Sequence, residues 1–175
     1  MPNYLRAAVP GASYFFTVAL ADRRRTLLTD RIDLLRSAFR TELWRHPFRI
    51  DAMVVLPDHL HGVWTMPAGD CDFPKRWRRI KAGFSAAIPD TEPRSASRRR
   101  HGERGIWQRR YWEHLIRDER DLAAHVDYIH YNPVKHGYVQ RVQDWPHSSF
   151  HRYVRDVLLP LDWGDAGGPD LSAGE

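Results

Sequence analysis

Two imidazoles stand two residues apart in His59-Leu60-His61, between a Pro57-Asp58 turn signal and Gly62. Neutral imidazole is a good ligand for a divalent cation. In a strand, residues two apart point to the same face, so His59 and His61 present their rings side by side while Leu60 turns into the core. Gly62 permits close approach of a ligand or another backbone, and Asp58 is placed to support one imidazole from behind. A half-exposed strand face ordinarily carries such pairs too. With ten histidines in the chain, the motif needs support from elsewhere.

That support comes from a second spacing. Asp121, His125, Tyr128 and Asn132 fall on one stripe of a helix, and Leu122, Val126, Ile129 and Pro133 on an apolar stripe roughly a quarter-turn away. Pro133 disfavours helical geometry at Asn132. The pattern predicts a helix over 119–131 that stops at Asn132-Pro133, with the Tyr128 hydroxyl near an irregular, accessible edge. A phenol becomes a nucleophile when something activates it. A metal ion does so by polarising a phosphate, and Asn132, one turn on, offers an oxygen ligand. Tyr131 is the second candidate phenol, turned away from Asn132. An amphipathic helix with a tyrosine at the core margin has the same pattern.

The third feature is charge. The chain has a formal net charge of +5, which favours an anionic partner, most commonly nucleic acid. Lys75, Arg76, Arg78, Arg79 and Lys81 lie in a basic helical stretch, and Arg98, Arg99 and Arg100 form a run beyond it. Arg109 and Arg110 interleave with Trp107, Tyr111 and Trp112. Arginine meets phosphate and aromatic rings stack on unpaired bases; a solvated charge run beside core aromatics is the plainer explanation.

These residues must be held by a scaffold. SYFFTVAL (13–20) reads as a strand. A helix follows over 29–44, capped by Thr29 or Asp30 and ended by Pro47. The stretches 48–57 and 59–66 form an antiparallel hairpin. A helix spans 73–88, a loop 89–105 and a last strand 106–116. The order implies an α+β fold: a ferredoxin-like or RRM-like β-α-β-β-α-β antiparallel sheet with helices on one face, plus a C-terminal catalytic helix. One domain is expected over 1–163, with a disordered tail over 164–175. The lone Cys71 excludes an internal disulfide and a cysteine-rich zinc site. The apolar run 12–21 is interrupted by Pro10 and Gly11 at its start and reads as a strand rather than a signal peptide, and nothing is long enough to span a bilayer. A cytoplasmic, nucleoid-associated protein is expected.

Taken together, MVVLPDHLHGVWTMP (53–67), WQRRYWEHLIRDERDL (107–122), YIHYNPVKHGYV (128–139) and DWPHSSF (144–150) resemble the REP-associated tyrosine transposases, a branch of the single-tyrosine HUH endonucleases. The resemblance runs from Tyr14 to about Trp163. It implies that His59 and His61 bind Mg²⁺ or Mn²⁺, that Asn132 completes the metal site and that Tyr128 is the nucleophile. Attack by Tyr128 would release a 3′-hydroxyl and leave a 5′-phosphotyrosine, which a 3′-hydroxyl can reverse without ATP. The implied partner is single-stranded DNA with imperfect hairpins of the REP/BIME type, with no membrane, and the protein works as a monomer or homodimer. The basic helix, the arginine-rich loop and the WPHSSF region are the expected recognition elements.

Two other classes compete. A non-catalytic module that binds single-stranded nucleic acid or hairpins would use the same sheet as a stacking platform. A small-substrate metal hydrolase ordinarily needs three strong protein ligands, which two histidines and an amide do not supply.

Overall fold

A computed structural model describes residues 8–89 and 95–169. The elements follow in the order β1 (Ser13–Ala19), α1 (Leu27–Asp30), α2 (Ile32–Arg45), β2 (Arg49–Val55), β3 (His59–Thr65), α3 (Phe73–Ala86), α4 (Ala96–Arg100), β4 (Trp112–Leu115) and α5 (Glu119–Lys135). A 3-10 turn, Val142–Asp144, and a short α6 (Phe150–Arg155) close the chain. The strands form one sheet in the order β2-β3-β1-β4, with every neighbouring pair antiparallel. This is the expected ferredoxin-like arrangement.

Alternation along β1 and β3 sorts the core into two clusters, one on each sheet face. Tyr14, Phe16 and Val18 join Leu60 and Trp64, and α2 and α3 cover them with Leu35, Phe39, Trp77 and Phe84. On the other face Phe15, Ala52, Val54 and Val63 are covered by Val126, Tyr128 and Ile129 of α5. Leu60 lies in the larger cluster, so its neighbours His59 and His61 face α5.

Several boundaries differ from expectation. Thr29 and Asp30 belong to the separate turn α1, and α2 starts after Arg31 with no side-chain cap. The loop after α3 contains α4, capped by Ser95; Arg94 lies outside the described residues. The last strand is shorter, because 106–111 leaves the ladder after an isolated bridge between Leu20 and Trp107. The helix predicted to stop at Asn132-Pro133 instead runs through Pro133 to Lys135. Proline forfeits one helical N–H bond, but Ile129, Asn132 and Pro133 are all buried, and packing against the sheet overrides the local preference.

The C-terminal segment is tied to β2. The Met53 N–H donates to Ser149 Oγ at 2.9 Å and the Trp145 indole N–H to the Val55 carbonyl at 3.0 Å. Of the expected disordered tail, 164–169 are placed, beginning in a turn, with Gly164 against Val142 and Tyr131 and Gly168 against the Tyr131 ring; the rest lies outside the described residues. No described helix is long and apolar enough to cross a membrane.

His130 joins this segment to α5. It is fully buried, its Nε2 is 2.9 Å from Ser149 Oγ, and its ring meets Tyr153 edge-on at 4.6 Å. Burial, with smaller contributions from Arg152 and His151, pushes its pKa down from 6.5 to about 3. The unfolded chain therefore binds a proton between those values that the folded chain refuses, and stability falls with acid through that window. From pH 7 to pH 5 this one group should remove about 2 kcal/mol, taking roughly 1.36 kcal/mol per pH unit. Urea midpoints for the native chain and His130→Gln check this: the variant should show a shallower loss, and equal slopes would refute it.

Candidate active site

The strand β3 carries both imidazoles on the face that α5 covers. Their ring centroids are 5.0 Å apart and nearly perpendicular. The His59 Nδ1 lies 2.7 Å from Asp58 Oδ1, and Arg23 holds the other carboxylate oxygen while its NH2 lies 3.2 Å from the same Nδ1. His61 Nδ1 is 2.9 Å from Thr17 Oγ1, a contact fixed by the β1–β3 register that pairs Thr17 with His61. In the tautomer whose Nδ1–H donates to these oxygens, each Nε2 keeps its lone pair for a cation. Burial is the largest influence on both rings and lowers both pKa values, His61 well below the usual histidine value. Both are therefore neutral, ligand-competent imidazoles at pH 7.

The helix α5 brings up the other candidates. The Tyr128 ring stands 5.2 Å from His61 at a steep angle and 5.9 Å from Phe15. Asn132 lies one helical turn later on the same face. The polar stripe expected at an accessible edge is instead buried: Tyr128 is 6% exposed and Asn132 fully enclosed. The stripe meets the sheet where β3 presents His59 and His61, beside the apolar Phe15 and Val63. Tyr131 is directed elsewhere, under Trp163 and the glycines at 164 and 168.

A divalent cation fits these residues on a specific ground. His61 Nε2 and both amide atoms of Asn132 are buried with no hydrogen-bond partner among the described residues. Buried polar atoms are nearly always paired, and of these His61 Nε2 and Asn132 Oδ1 carry the lone pairs that a cation takes, whereas the amide nitrogen carries none. A second group, His114, Asp121 and His125, also brings its ligand atoms within 4.8 Å of one another. There, however, the carboxylate is already engaged: Asp121 Oδ2 lies 2.8 Å from His114 Nε2 and accepts the Arg117 N–H at 2.9 Å, while His125 Nδ1 lies 3.1 Å from Oδ1. It therefore reads as a hydrogen-bonded brace between β4 and the start of α5.

Sequence reasoning missed several residues at the site. His136 caps α5, and its ring is 5.3 Å from that of His59. Lys135 holds its ammonium 4.9 Å from the Tyr128 ring centroid. Both sit in the stretch NPVKHG, and continuing the helix past Pro133 was the signal that would have placed them. Arg23 and Thr17 had no local signal, since only strand pairing brings them to the histidines.

The cationic residues divide. Arg76 is almost fully buried and its guanidinium serves Asp70 and the carbonyls of His46 and Pro47, so it is structural rather than a surface contact. Arg79 leans on Glu42 and His46. Lys75, Arg78, Lys81 and Arg109 line a groove of about 1100 Å³ between α3 and the segment 101–111, together with Trp107 and Tyr111. Arg98, Arg99 and Arg100 belong to α4, with Arg99 and Arg100 exposed, and Arg110 is exposed ahead of β4. The Gln108 N–H bonds the Ala19 carbonyl at 2.9 Å, and Ala19 pairs with His59, so the groove's rim lies one strand from the histidine pair.

No family model matches the chain. Over its whole length it is similar to the REP-associated tyrosine transposase of Escherichia coli (strain K12), 48% identical over 176 residues that cover 100% of this chain and 98% of that protein. A Haemophilus influenzae protein carrying the same description provisionally is 48% identical over 172 residues, 98% of this chain and 97% of its own. The fold is similar to the solved structure of a REP-associated tyrosine transposase bound to a REP hairpin, with a TM-score of 0.83 and 46% identity over 100% of this chain and 98% of that one.

Proposed function

The chain belongs to the REP-associated tyrosine transposases, and we propose that it is a metal-dependent single-tyrosine endonuclease and transposase that cleaves and rejoins single-stranded, hairpin-forming REP-like DNA. The observation that carries this reading is the meeting of β3 and α5: the Tyr128 ring stands 5.2 Å from that of His61, and His61 Nε2 and, one helical turn beyond Tyr128, Asn132 Oδ1 are buried without a hydrogen-bond partner among the described residues.

His59, His61 and Asn132 would hold a cation, Mg²⁺ or Mn²⁺, and when bound it would supply positive charge to polarise the scissile phosphate. Asp58 and Thr17 fix the ring orientations of the two histidines. Tyr128 attacks phosphorus through its phenolic oxygen; the bond from phosphorus to the 3′-oxygen breaks, and a 5′-phosphotyrosine remains. The proton lost by the phenol is balanced by the one the 3′-oxygen takes up. A 3′-hydroxyl reverses the step and joins a strand. Lys135 adds positive charge where the phosphate must arrive.

The groove between α3 and 101–111 supports a hairpin partner, since its exposed cations Lys75, Arg78 and Arg109 suit phosphates. The solved relative bound to a REP hairpin supports the same partner. The working unit is a monomer or homodimer.

The test is a denaturing gel after incubating the protein with Mn²⁺ and labelled single-stranded DNA bearing a hairpin from the flanks of its own gene. A metal-dependent labelled protein band is expected. Tight hairpin binding with neither adduct nor cleavage would instead indicate a binding module.

A further inference from the structure

We propose that Trp112 is a stacking platform for one unpaired nucleobase of the single strand beside the scissile phosphate; this rests on the function proposed above and adds a base-binding site to it.

The strand register sets the position. Thr17 on β1 pairs with His61 on one side and with Trp112 on the other. Directly paired residues lie on the same face of a sheet, so His61, Thr17 and Trp112 form one row across the face that carries Tyr128. Two strand spacings separate the ends of the row, about 10 Å. The floor between them is the small, partly exposed side chain of Thr17. A nucleotide adjoining a phosphate held at His61 is brought to Trp112 along this row.

The ring itself is prepared for a flat ligand. Trp112 is 43% exposed on β4, at the edge of the sheet. It is backed by His114, whose ring is 5.9 Å away and inclined by 11°, and His114 is backed in turn by His125 at 4.7 Å and 20°. Asp121 ties both imidazoles to the first turns of α5, and Phe15 meets the indole edge-on at 5.7 Å. The His114–Asp121–His125 brace thereby acquires a purpose: it stiffens a stack of three rings whose outermost member faces solvent. Arg110 and Arg117 are exposed at either end of β4, giving the platform cationic flanks. Exposed aromatic rings with cations alongside bind bases of any sequence through their π-faces, so the ligand class is a nucleobase rather than a particular base.

The experiment is a binding scan. The probe is a hairpin oligonucleotide with a single-stranded flank, and a series in which an abasic site moves one nucleotide at a time along that flank. Affinity is read by fluorescence anisotropy without divalent cation, for the native chain, Trp112→Leu and Trp112→Phe. Trp112→Leu should weaken binding of the intact probe roughly 5- to 100-fold, the range for one base–aromatic stack, and Trp112→Phe should recover most of it. At one abasic position the native chain should lose the same factor and Trp112→Leu nothing further. An equal loss for Trp112→Leu on every abasic probe, or no loss on any, overturns the platform while leaving the proposed function in place. Failure of the native chain to bind the hairpin probe at all overturns both. Unchanged thermal melting of Trp112→Phe guards against misreading a folding defect.

Discussion

Tyr128→Phe should abolish strand cleavage and the covalent protein–DNA band while leaving hairpin binding intact. The substitution removes one oxygen and keeps the ring, so the packing against Phe15 and His61 and the Lys135 ammonium over the ring face all persist. Melting temperature should therefore match the native chain. The chemistry has no substitute: no other phenol of α5 reaches the histidines, because Tyr131 lies under Trp163 and the following glycines. Removing a covalent nucleophile lowers turnover on the order of 10⁴-fold or more. Cleavage at native rates by Tyr128→Phe would transfer the nucleophile elsewhere and sink the assignment.

The second large effect concerns the metal. His61→Ala removes an imidazole whose Nε2 is buried without a partner, and the Mn²⁺ concentration for half-maximal cleavage should rise at least about 100-fold, beyond the loss typical of a supporting residue. Asp58→Asn keeps the shape but weakens the acceptor that orients His59, and the rise should be about 10- to 100-fold. The order of the two separates a ligand from its support. Raising Mn²⁺ should restore Asp58→Asn to near-native maximal rates and His61→Ala far less. Equal, metal-independent losses in both would mean that these residues hold the fold rather than a cation.

Much of the architecture was legible from residue type and alternation. SYFFTVAL reads as a strand from its aromatic and β-branched residues, and HLHGVWTM from its alternation, which gives His59 and His61 a common face with Leu60 in the core. The pairing of elements in the sheet followed from their order. What could not be read depended on tertiary contact. Pro133 gives a local stop signal, yet the helix passes through it because the face of the sheet rewards burial of Ile129 and Pro133. The polar stripe of α5 looked solvent-facing for the same reason: helical spacing says which residues share a face, not what that face meets. Arg76 counted as a surface cation in a basic run, and only the fold discloses Asp70 and two carbonyls waiting for its guanidinium. Arg23 was invisible because only the fold brings it to Asp58 and His59, whereas His136 would have followed from carrying the helix past Pro133.

The two cores on opposite faces of the sheet carry an evolutionary implication. The residues that line the cationic groove stand on α3 and the segment after it, anchored in the larger cluster, whereas Tyr128 and its companions rest on the smaller one. Exchanges that reshape the groove are absorbed by repacking around Trp77 and Phe84, and the backbone of β1 and β3 stands between them and the phenol. Such a layout lets the groove change without repacking around the phenol.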